Sequence, residues 1–314
     1  MRGMPFLNSI VDILRRVPKI PGAIGRYLTT RSPRFLAGFL AVALCVLVMC
    51  LPSAYSVEWP GPTRDVLGTV GGDGKSVDDQ VIQVSGADTH KDSGRLLLVT
   101  VSANGVPGYP VTNAEVLWGW IASDRVVMPR EAVVPVGQTT QEYKKETDRE
   151  MSSSQSNAIK AAERFLAANA DVAESAGLTG ADLSKLKVSM HVDDIGGPSA
   201  GMMYTLGLID KLTPADETGG KTIAGTGTID AKGKVGSIGG IRLKMLGAKR
   251  DGATWFLAPE SNCGEVVGHV PSGLRDVKVS TLDEAYDALV AIGQGKGDSL
   301  PHCTVDTVDK QIKR

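Results

Sequence analysis

The chain has 314 residues, which is enough for one large domain or two smaller ones with a sizeable core. Its 34 Lys and Arg residues nearly balance its 35 Asp and Glu residues, so the net charge is -1. A chain this close to neutral has no general electrostatic attraction to nucleic acid, and we expect no nucleic acid partner. Its four cysteines are too few for a disulfide scaffold.

Residues 1–34 are basic, with Asp12 as their single acid, and residues 35–53 follow as an almost wholly apolar run. This run is close to the roughly 20 residues that span a bilayer. We therefore predict a cytoplasmic segment at 1–34 and a transmembrane anchor at 35–53, in a single-pass protein of the cell membrane with the rest of the chain extracytoplasmic. A cleavable signal peptide is the alternative, although its apolar core is normally only about 7–15 residues long.

Residues 54–150 combine short apolar runs with frequent turn residues, which predicts a β-rich segment. Arg95–Val101 is almost entirely apolar, as expected for a strand buried on both faces. Trp118 and Trp120 are two residues apart, so in a strand they would share one face, and we predict that they belong to the core.

The sequence Gly-Lys-Ser at residues 74–76 suggests a phosphate-binding loop. The glycine that this motif needs five positions earlier is replaced by Thr69, and the surrounding residues are turn-rich and polar. We therefore expect no nucleotide, and we predict neither a cofactor nor a metal.

From residue 151 onward, helical and strand-like patterns alternate, which predicts an α/β or α+β domain at 151–295, followed by a C-terminal tail at 296–314. The predicted elements are a helix at Gln155–Ala170, a strand leading to His191, a helix at Met202–Leu212, a hairpin at Thr222–Ser237, a helix at Ile241–Lys249 and a last helix capped by Thr281.

Ser199 stands where a strand-like run becomes a helix, between Gly197 and Gly201. Small neighbours let a substrate backbone approach closely, and free N–H groups at a helix start stabilise an oxyanion. This pattern predicts a nucleophile, with oxyanion donors in the backbone around Gly197, Pro198 and Ala200. The alternative is that Ser199 is only a helix N-cap.

A serine nucleophile needs a base. Lys244 falls beside the apolar stripe of its predicted helix, where partial burial would lower the pKa of its amine toward neutrality. The alternative is a lysine that extends past an apolar edge into solvent. The Gly-x-Ser-x-Gly pattern also fits an esterase with a histidine base, for which only His269 and His302 follow the serine, both in loops.

The serine turn, the run Thr226-Gly227-Thr228-Ile229 and the run Gly239–Lys244 occur in the order found in Lon proteases, and this part of the chain resembles their proteolytic domain. The resemblance implies a Ser–Lys peptidase in which Ser199 is the nucleophile, Lys244 the general base and Thr226 a supporting hydroxyl. It implies protein or peptide substrates and a homo-oligomeric, hexameric ring.

The chain resembles in particular the membrane-anchored, extracytoplasmic Lon-like proteases, from which it departs in one respect. The stretch between Gln155 and His191 is too short for the PDZ domain that is usual there. Gly196 occupies the position of an aspartate in full-length Lon, and we expect no ATPase domain of the kind that full-length Lon carries. We therefore expect an ATP-independent endopeptidase that cleaves unfolded or flexible proteins; a catalytically silent binding scaffold of the same fold stays open as an alternative.

Cys263 and Cys303 are the two cysteines of the part predicted to be extracytoplasmic. A disulfide persists in such a compartment, and this one would join the C-terminal tail to the domain. Two unpaired thiols are the alternative.

Overall fold

The computed structural model describes residues 32–70, 80–178, 186–191 and 197–312. The basic segment predicted at 1–34 lies outside the described residues except for its last three positions, and the Gly-Lys-Ser sequence at 74–76 lies wholly outside them. The chain divides into two units, one comprising residues up to Pro52 with Thr112–Ala114, and the other Ser53–Val111 with Glu115–Arg314.

The first unit contains helix α1, Pro33–Cys50. Its cap is Ser32, whose side chain accepts a hydrogen bond from the Phe35 N–H at 3.4 Å, and a proline occupies the first turn, where its missing N–H costs nothing. None of its side chains is buried. Among the described residues α1 is the one helix long and apolar enough to cross a membrane, and a signal sequence near an N-terminus has the same properties.

The second unit is built on a mixed sheet of six strands among the described residues, in the order β10-β9-β6-β3-β1-β4. Strands β3, β6, β9 and β10 are parallel, whereas β1 is antiparallel to both β3 and β4. The strands are β1 Tyr55–Asp65, β2 Ile82–Ser85, β3 Arg95–Asn104, β4 Val126–Pro129, β5 Lys187–Met190, β6 Thr222–Gly225, β7 Thr228–Ile229, β8 Val235–Gly236, β9 Trp255–Pro259 and β10 Arg275–Val279.

Helices cover both faces of this sheet. In chain order after α1, the helices of the described residues are α2 Asn113–Ile121, α3 Thr140–Ala168, α4 Ala170–Ser175, α5 Gly201–Leu212, α6 Ile241–Arg250, α7 Cys263–Val266, α8 Leu282–Gly293 and α9 Val305–Ile312. A short 3₁₀ helix, Pro198–Ala200, precedes α5. The expected mixed α/β architecture is confirmed, because parallel strands alternate with helices that pack on the sheet.

Strand β3 separates two cores, as its apolar sequence predicts. Leu96 and Leu98 pack with α3, α5 and α8 on one face, while Leu97 and Val99 pack with α6 on the other. All four side chains are at most 2% exposed, so the strand is buried on both faces. The helix that follows Ser199 and the helix that carries Lys244 therefore lie on opposite faces of the same sheet.

The division predicted at residue 150 falls inside α3, which runs from Thr140 to Ala168. Residues 54–150 supply β1 and β3 to the same sheet as the later strands, so the structure does not divide the chain there. The predicted hairpin at 222–237 is also narrower, because β6 joins the main sheet and only β7 and β8 pair with each other.

The prediction for Trp118 and Trp120 is wrong. Both belong to α2 and are 58% and 59% exposed. Val116 and Gly119 are the buried residues of this helix, three positions apart as helical geometry requires. Residues two positions apart do not share a face in a helix, so the spacing of the two tryptophans does not predict their burial.

Cys263 and Cys303 form a disulfide that joins α7 to the segment before α9. The described part of the predicted tail, residues 296–312, belongs to the second unit, and Cys303 within it is only 8% exposed.

Candidate active site

Ser199 lies in the 3₁₀ turn Pro198–Ala200, which leads directly into α5. Gly197 opens the turn with φ of 90°, a conformation that favours glycine. The cap position of α5 is Ala200, and no side-chain cap bond is made at either helix start, so the N-cap alternative for Ser199 is wrong. Ser199 is partly exposed; Gly196 lies outside the described residues.

The backbone of this turn supplies fewer oxyanion donors than the sequence analysis expects. Pro198 has no N–H and cannot donate a hydrogen bond. The N–H of Gly201 already donates to the Pro198 carbonyl, and that of Met202 donates to the Gly227 carbonyl at 3.0 Å. The candidate donors are therefore the N–H groups of Gly197, Ser199 and Ala200.

Helix α3 contacts the serine turn through the side chain of Ser154. Ser154 is 3% exposed and donates a hydrogen bond to the Pro198 carbonyl at 3.0 Å. This bond gives the buried Ser154 hydroxyl a partner and gives the Pro198 carbonyl a second donor beside the Gly201 N–H. The sequence analysis missed Ser154, and the only signal was its place on the apolar face of the helix, four residues before Ala158.

Lys244 lies on α6, the helix that begins after Gly240. Ile241, Met245 and Ala248 are fully buried, as the predicted apolar stripe requires, and Lys244 itself is only 4% exposed. The alternative of a solvent-directed lysine is therefore wrong. Burial lowers the pKa of Lys244 to about 8, and the nearby Glu58 carboxylate acts in the opposite direction.

Thr226 connects the lysine to the serine turn. It follows β6, is fully buried, and accepts a hydrogen bond from Lys244 Nζ at 3.3 Å. Its hydroxyl donates in turn to the carbonyl of Ser199 at 3.1 Å, and the Gly227 N–H donates to the same carbonyl at 2.9 Å. No hydrogen bond joins the Ser199 hydroxyl to Lys244 directly in the part of the chain that the structure describes.

Ser199 and Lys244 line one cavity of about 790 Å³. Its other walls come largely from residues before 150, including Trp59 on β1, Ser102 on β3 and Tyr143 on α3. The segment that the sequence analysis leaves without a role therefore builds one side of the cleft around the two residues.

Glu58 is a further residue of this cavity that sequence reasoning missed. It lies on β1, partly buried; desolvation raises the pKa of its carboxyl group, and the charge of Lys244 acts against that rise. The only sequence signal was an acid between the apolar residues Val57 and Trp59. Its position places a carboxylate in the cavity that the lysine amine faces.

The two histidines proposed for an esterase lie elsewhere. His269 and His302 are both exposed, and neither lines the cavity of Ser199 and Lys244. The Nδ1 atom of His269 lies 3.1 Å from a carbonyl of its own loop, that of Val267. No observation in the described residues favours a histidine base for this serine.

Comparison with known proteins identifies one part of the chain. Residues 145–292 match the family model of the Lon protease (S16) C-terminal proteolytic domain. The chain contains a Lon proteolytic domain. Its strands β1 and β3 lie outside the matched residues but belong to the same sheet as the strands within them.

Several relatives support this family over the same part of the chain. Lon protease 2 of Herpetosiphon aurantiacus is 36% identical over 115 residues, which are 34% of this chain and 14% of the relative. The Lon protease of Clostridioides difficile is 36% identical over 102 residues, 31% of this chain and 13% of the relative. The mitochondrial Lon protease homolog of Candida albicans is 37% identical over 112 residues, 33% of this chain and 10% of the relative. The chain thus spans only a small part of the length of these relatives.

Proposed function

We propose that this protein is a membrane-anchored, ATP-independent serine endopeptidase whose Lon domain uses Ser199 as nucleophile and Lys244 as general base. One observation carries the proposal: the two residues open into one cavity, and both contact the Thr226 hydroxyl. The family match supports the peptidase class, and the similar proteins described above are named Lon proteases.

The buried lysine supplies the base that a serine hydroxyl needs. With a pKa of about 8, roughly a tenth of the Lys244 amines are neutral at pH 7. A neutral Nζ takes the proton of the Ser199 hydroxyl as Oγ bonds to the peptide carbonyl carbon, and the ammonium then protonates the leaving amine. Neutral Lys244 then takes a proton from water as the water oxygen bonds to the acyl carbon, and it returns that proton to Ser199 Oγ as the ester bond breaks. Backbone N–H groups of Gly197, Ser199 and Ala200 are the candidates to stabilise the oxyanion.

The substrates we propose are unfolded or flexible protein segments. The cavity lies between β1, β3 and the serine turn, and a folded domain does not fit a space of about 790 Å³. The three alignments described above cover 10–14% of the relative's length, and the family match is to the proteolytic domain alone. We therefore propose that cleavage by this chain needs no ATP.

The proposed location is the outer side of the cell membrane, with α1 as anchor and the basic N-terminal residues in the cytoplasm. The charge asymmetry beside the apolar helix supports this orientation. The disulfide between Cys263 and Cys303 supports it independently, since disulfides persist in oxidising compartments. The homo-oligomeric, hexameric ring is proposed from the resemblance to Lon proteases, and chemical crosslinking of the purified chain tests it.

The decisive experiment assays the full-length protein in detergent micelles on an unfolded, fluorescently labelled protein, with and without ATP. Ser199→Ala and Lys244→Met are both expected to lower cleavage at least 1,000-fold, because each removes one half of the reacting pair. Ser153→Ala, on an exposed helix position, is the matched control and is expected to cleave normally. Cleavage that persists in both active-site variants would refute the mechanism, and full activity of the parent only with ATP would refute ATP independence. A parent that folds but cleaves nothing under any condition would favour the binding scaffold.

A further inference from the structure

Three carboxylates converge at the end of α5 that lies away from Ser199. Asp210 belongs to the last turn of the helix, Glu217 to the chain that follows it, and Asp92 to the segment before β3. Their ligand oxygens all lie within 4.8 Å of one another. Asp210 and Glu217 are only 2% and 3% exposed, so this is not a cluster of ordinary surface acids.

Two of the three carboxylates are held in fixed positions. Asp92 accepts hydrogen bonds from the backbone N–H groups of Gly94 at 2.7 Å and Thr218 at 3.0 Å, and also from the Thr218 hydroxyl. Glu217 accepts from the Tyr286 hydroxyl at 3.2 Å and from the Thr213 hydroxyl, both on the same oxygen. These bonds orient the two side chains and leave Glu217 Oε2 without a partner among the described residues.

Asp210 is different, because neither of its buried carboxylate oxygens has a hydrogen-bond partner in the described part of the chain. A buried carboxylate without partners is costly, and here two further carboxylates face it. The nearby Lys211 acts on Asp210 through its charge alone, since its Nζ donates to the Gln80 side chain at 3.1 Å.

The helix end adds to the negative potential. The carbonyl groups of the last turn give the C-terminal end of a helix a partial negative charge, which disfavours a carboxylate and favours a cation. Asp210 therefore occupies a place where a bare carboxylate is disfavoured twice, by its neighbours and by its helix. A cation between the three side chains would remove both penalties.

We propose that Asp92, Asp210 and Glu217 form a binding site for Ca²⁺. Ca²⁺ prefers six to eight oxygen ligands at 2.3–2.6 Å, so two of its ligands lie up to about 5 Å apart, and oxygens that all lie within 4.8 Å of one another stay inside that limit. Mg²⁺ needs shorter bonds and near-ideal octahedral geometry, with ligands at most about 4 Å apart. Asp92 and Asp210 also line an open cavity of about 670 Å³, which provides an entry path and room for water ligands.

This site departs from the sequence-based expectation of no metal, because the three residues are far apart in the chain, at positions 92, 210 and 217, and no spacing motif links them. Asp210 lies eleven residues after Ser199, roughly 16 Å along the helical run. The ion is therefore a stabilising element that fastens the far end of the serine helix to the loops around Asp92 and Glu217. The proposal does not depend on the peptidase mechanism.

The test uses the full-length chain with Ser199→Ala, in detergent micelles, after removal of metals with EDTA and desalting. Thermal unfolding is followed with no added ion and with about 5 mM Ca²⁺, above the roughly 10⁻⁴–10⁻³ M dissociation constants of extracellular calcium modules. We expect Ca²⁺ to raise Tm by about 2–5 °C and Mg²⁺ to raise it less. Titration calorimetry with Ca²⁺ is expected to give one site per chain.

Asp210→Asn keeps the shape of the side chain and removes its charge. We expect this variant to lose both the Tm shift and the calorimetric signal, while its Tm without ion stays equal or rises. Asp283→Asn, at an exposed position on α8, is the matched control and is expected to keep the full Ca²⁺ shift.

Should Asp210→Asn fail to fold, Glu217→Gln serves in its place. A parent that does not respond to Ca²⁺, or a response that survives Asp210→Asn, overturns the proposal. A Tm that instead rises as the pH falls, without any effect of Ca²⁺, would assign the cluster to a shared proton.

Discussion

Lys244 and Thr226 are joined by a hydrogen bond of 3.3 Å in which a buried ammonium donates to a buried hydroxyl. The lysine belongs to α6 on one face of the sheet, whereas the threonine follows β6 and contacts the serine turn that leads to the other face. One side chain therefore fixes the separation between the proposed base and the proposed nucleophile. The β-branched side chain suits this role, because its χ1 angle is restricted.

Thr226→Val tests this relationship. The substitution keeps the branched shape but leaves the Lys244 ammonium without its acceptor and the Ser199 carbonyl without one donor. We expect kcat to fall by about 10- to 100-fold through misplacement of the base, and the free energy of unfolding to fall by about 1–2 kcal/mol. Thr226→Ser restores the hydroxyl and is expected to recover most of kcat. Equal losses in both variants would indicate a packing role for Thr226 rather than a positioning one.

The pH dependence of cleavage tests the role of Lys244. The proposed base is active only when neutral, so kcat/KM is expected to rise with pH and to level off above the pKa of about 8. Measurement of kcat/KM from pH 6 to pH 10 on a short peptide checks this expectation. An activity that is flat from pH 6 upward would contradict a lysine base, because most lysines are protonated at that pH.

Glu58 is expected to tune the same titration. Its carboxylate raises the pKa of Lys244 against the dominant effect of burial, so Glu58→Gln should lower that pKa. The midpoint of the pH profile then moves to lower pH, and kcat/KM at pH 7 rises, by less than about tenfold. Glu131→Gln, at an exposed position outside the cavity, is the control and should leave the profile unchanged. A midpoint that does not move in Glu58→Gln would show that the carboxylate is too well screened to act on the lysine.

The sequence was sufficient where local patterns determine the structure. The apolar run after Arg95 fixes a strand buried on both faces, and the stripe of Ile241, Met245 and Ala248 fixes which side of α6 is buried. Such features depend on periodicity over ten residues or fewer, which a sequence displays directly. The stripe places Lys244 beside Ala248 and predicts partial burial, but it leaves open whether the amine reaches solvent, and only the packed structure shows that the side chain is 4% exposed.

The cavity around Ser199 and Lys244, and the wall that residues before 150 contribute to it, could not be predicted from local patterns. Glu58 reaches Lys244 because β1 pairs with β3, a contact between residues far apart in the chain that no local pattern encodes. The same holds for Asp92, Asp210 and Glu217, which meet only once β3 and α5 are packed. The mistaken strand at Trp118 has a related cause, because an aromatic pair fits both a strand face and an exposed helix, and tertiary contacts decide between them.

Burial of Lys244 is expected to cost stability. The lysine has a pKa of about 8 in the folded chain and about 10.4 when unfolded, so below pH 8 it is charged in both states and its full desolvation cost is present. Between these values the unfolded state binds more protons, and stability rises with pH. Lys244→Met should therefore raise the free energy of unfolding by about 1–3 kcal/mol at pH 7, with a smaller gain as the pH approaches 10.

Denaturant unfolding of the parent and of Lys244→Met at pH 7 and pH 9.5 measures this gain. Lys249→Met, exposed on the same helix, is the control, and an equal gain in both variants would contradict a cost of burial.

The disulfide between Cys263 and Cys303 is expected to stabilise the C-terminal part of the second unit. It closes a loop of 40 residues, and constraint of an unfolded loop of that length contributes about 2–4 kcal/mol. Cys303→Ala, or reduction of the parent, should therefore lower the free energy of unfolding by that amount while cleavage at 25 °C persists, because neither cysteine lines the cavity of Ser199 and Lys244. Denaturant unfolding with and without reductant checks the expectation. A variant lacking Cys45 and Cys50 should respond to reductant as the parent does, since both are unpaired. Unchanged stability after verified reduction would mean that packing around α7 and α9 holds the tail without the covalent bond.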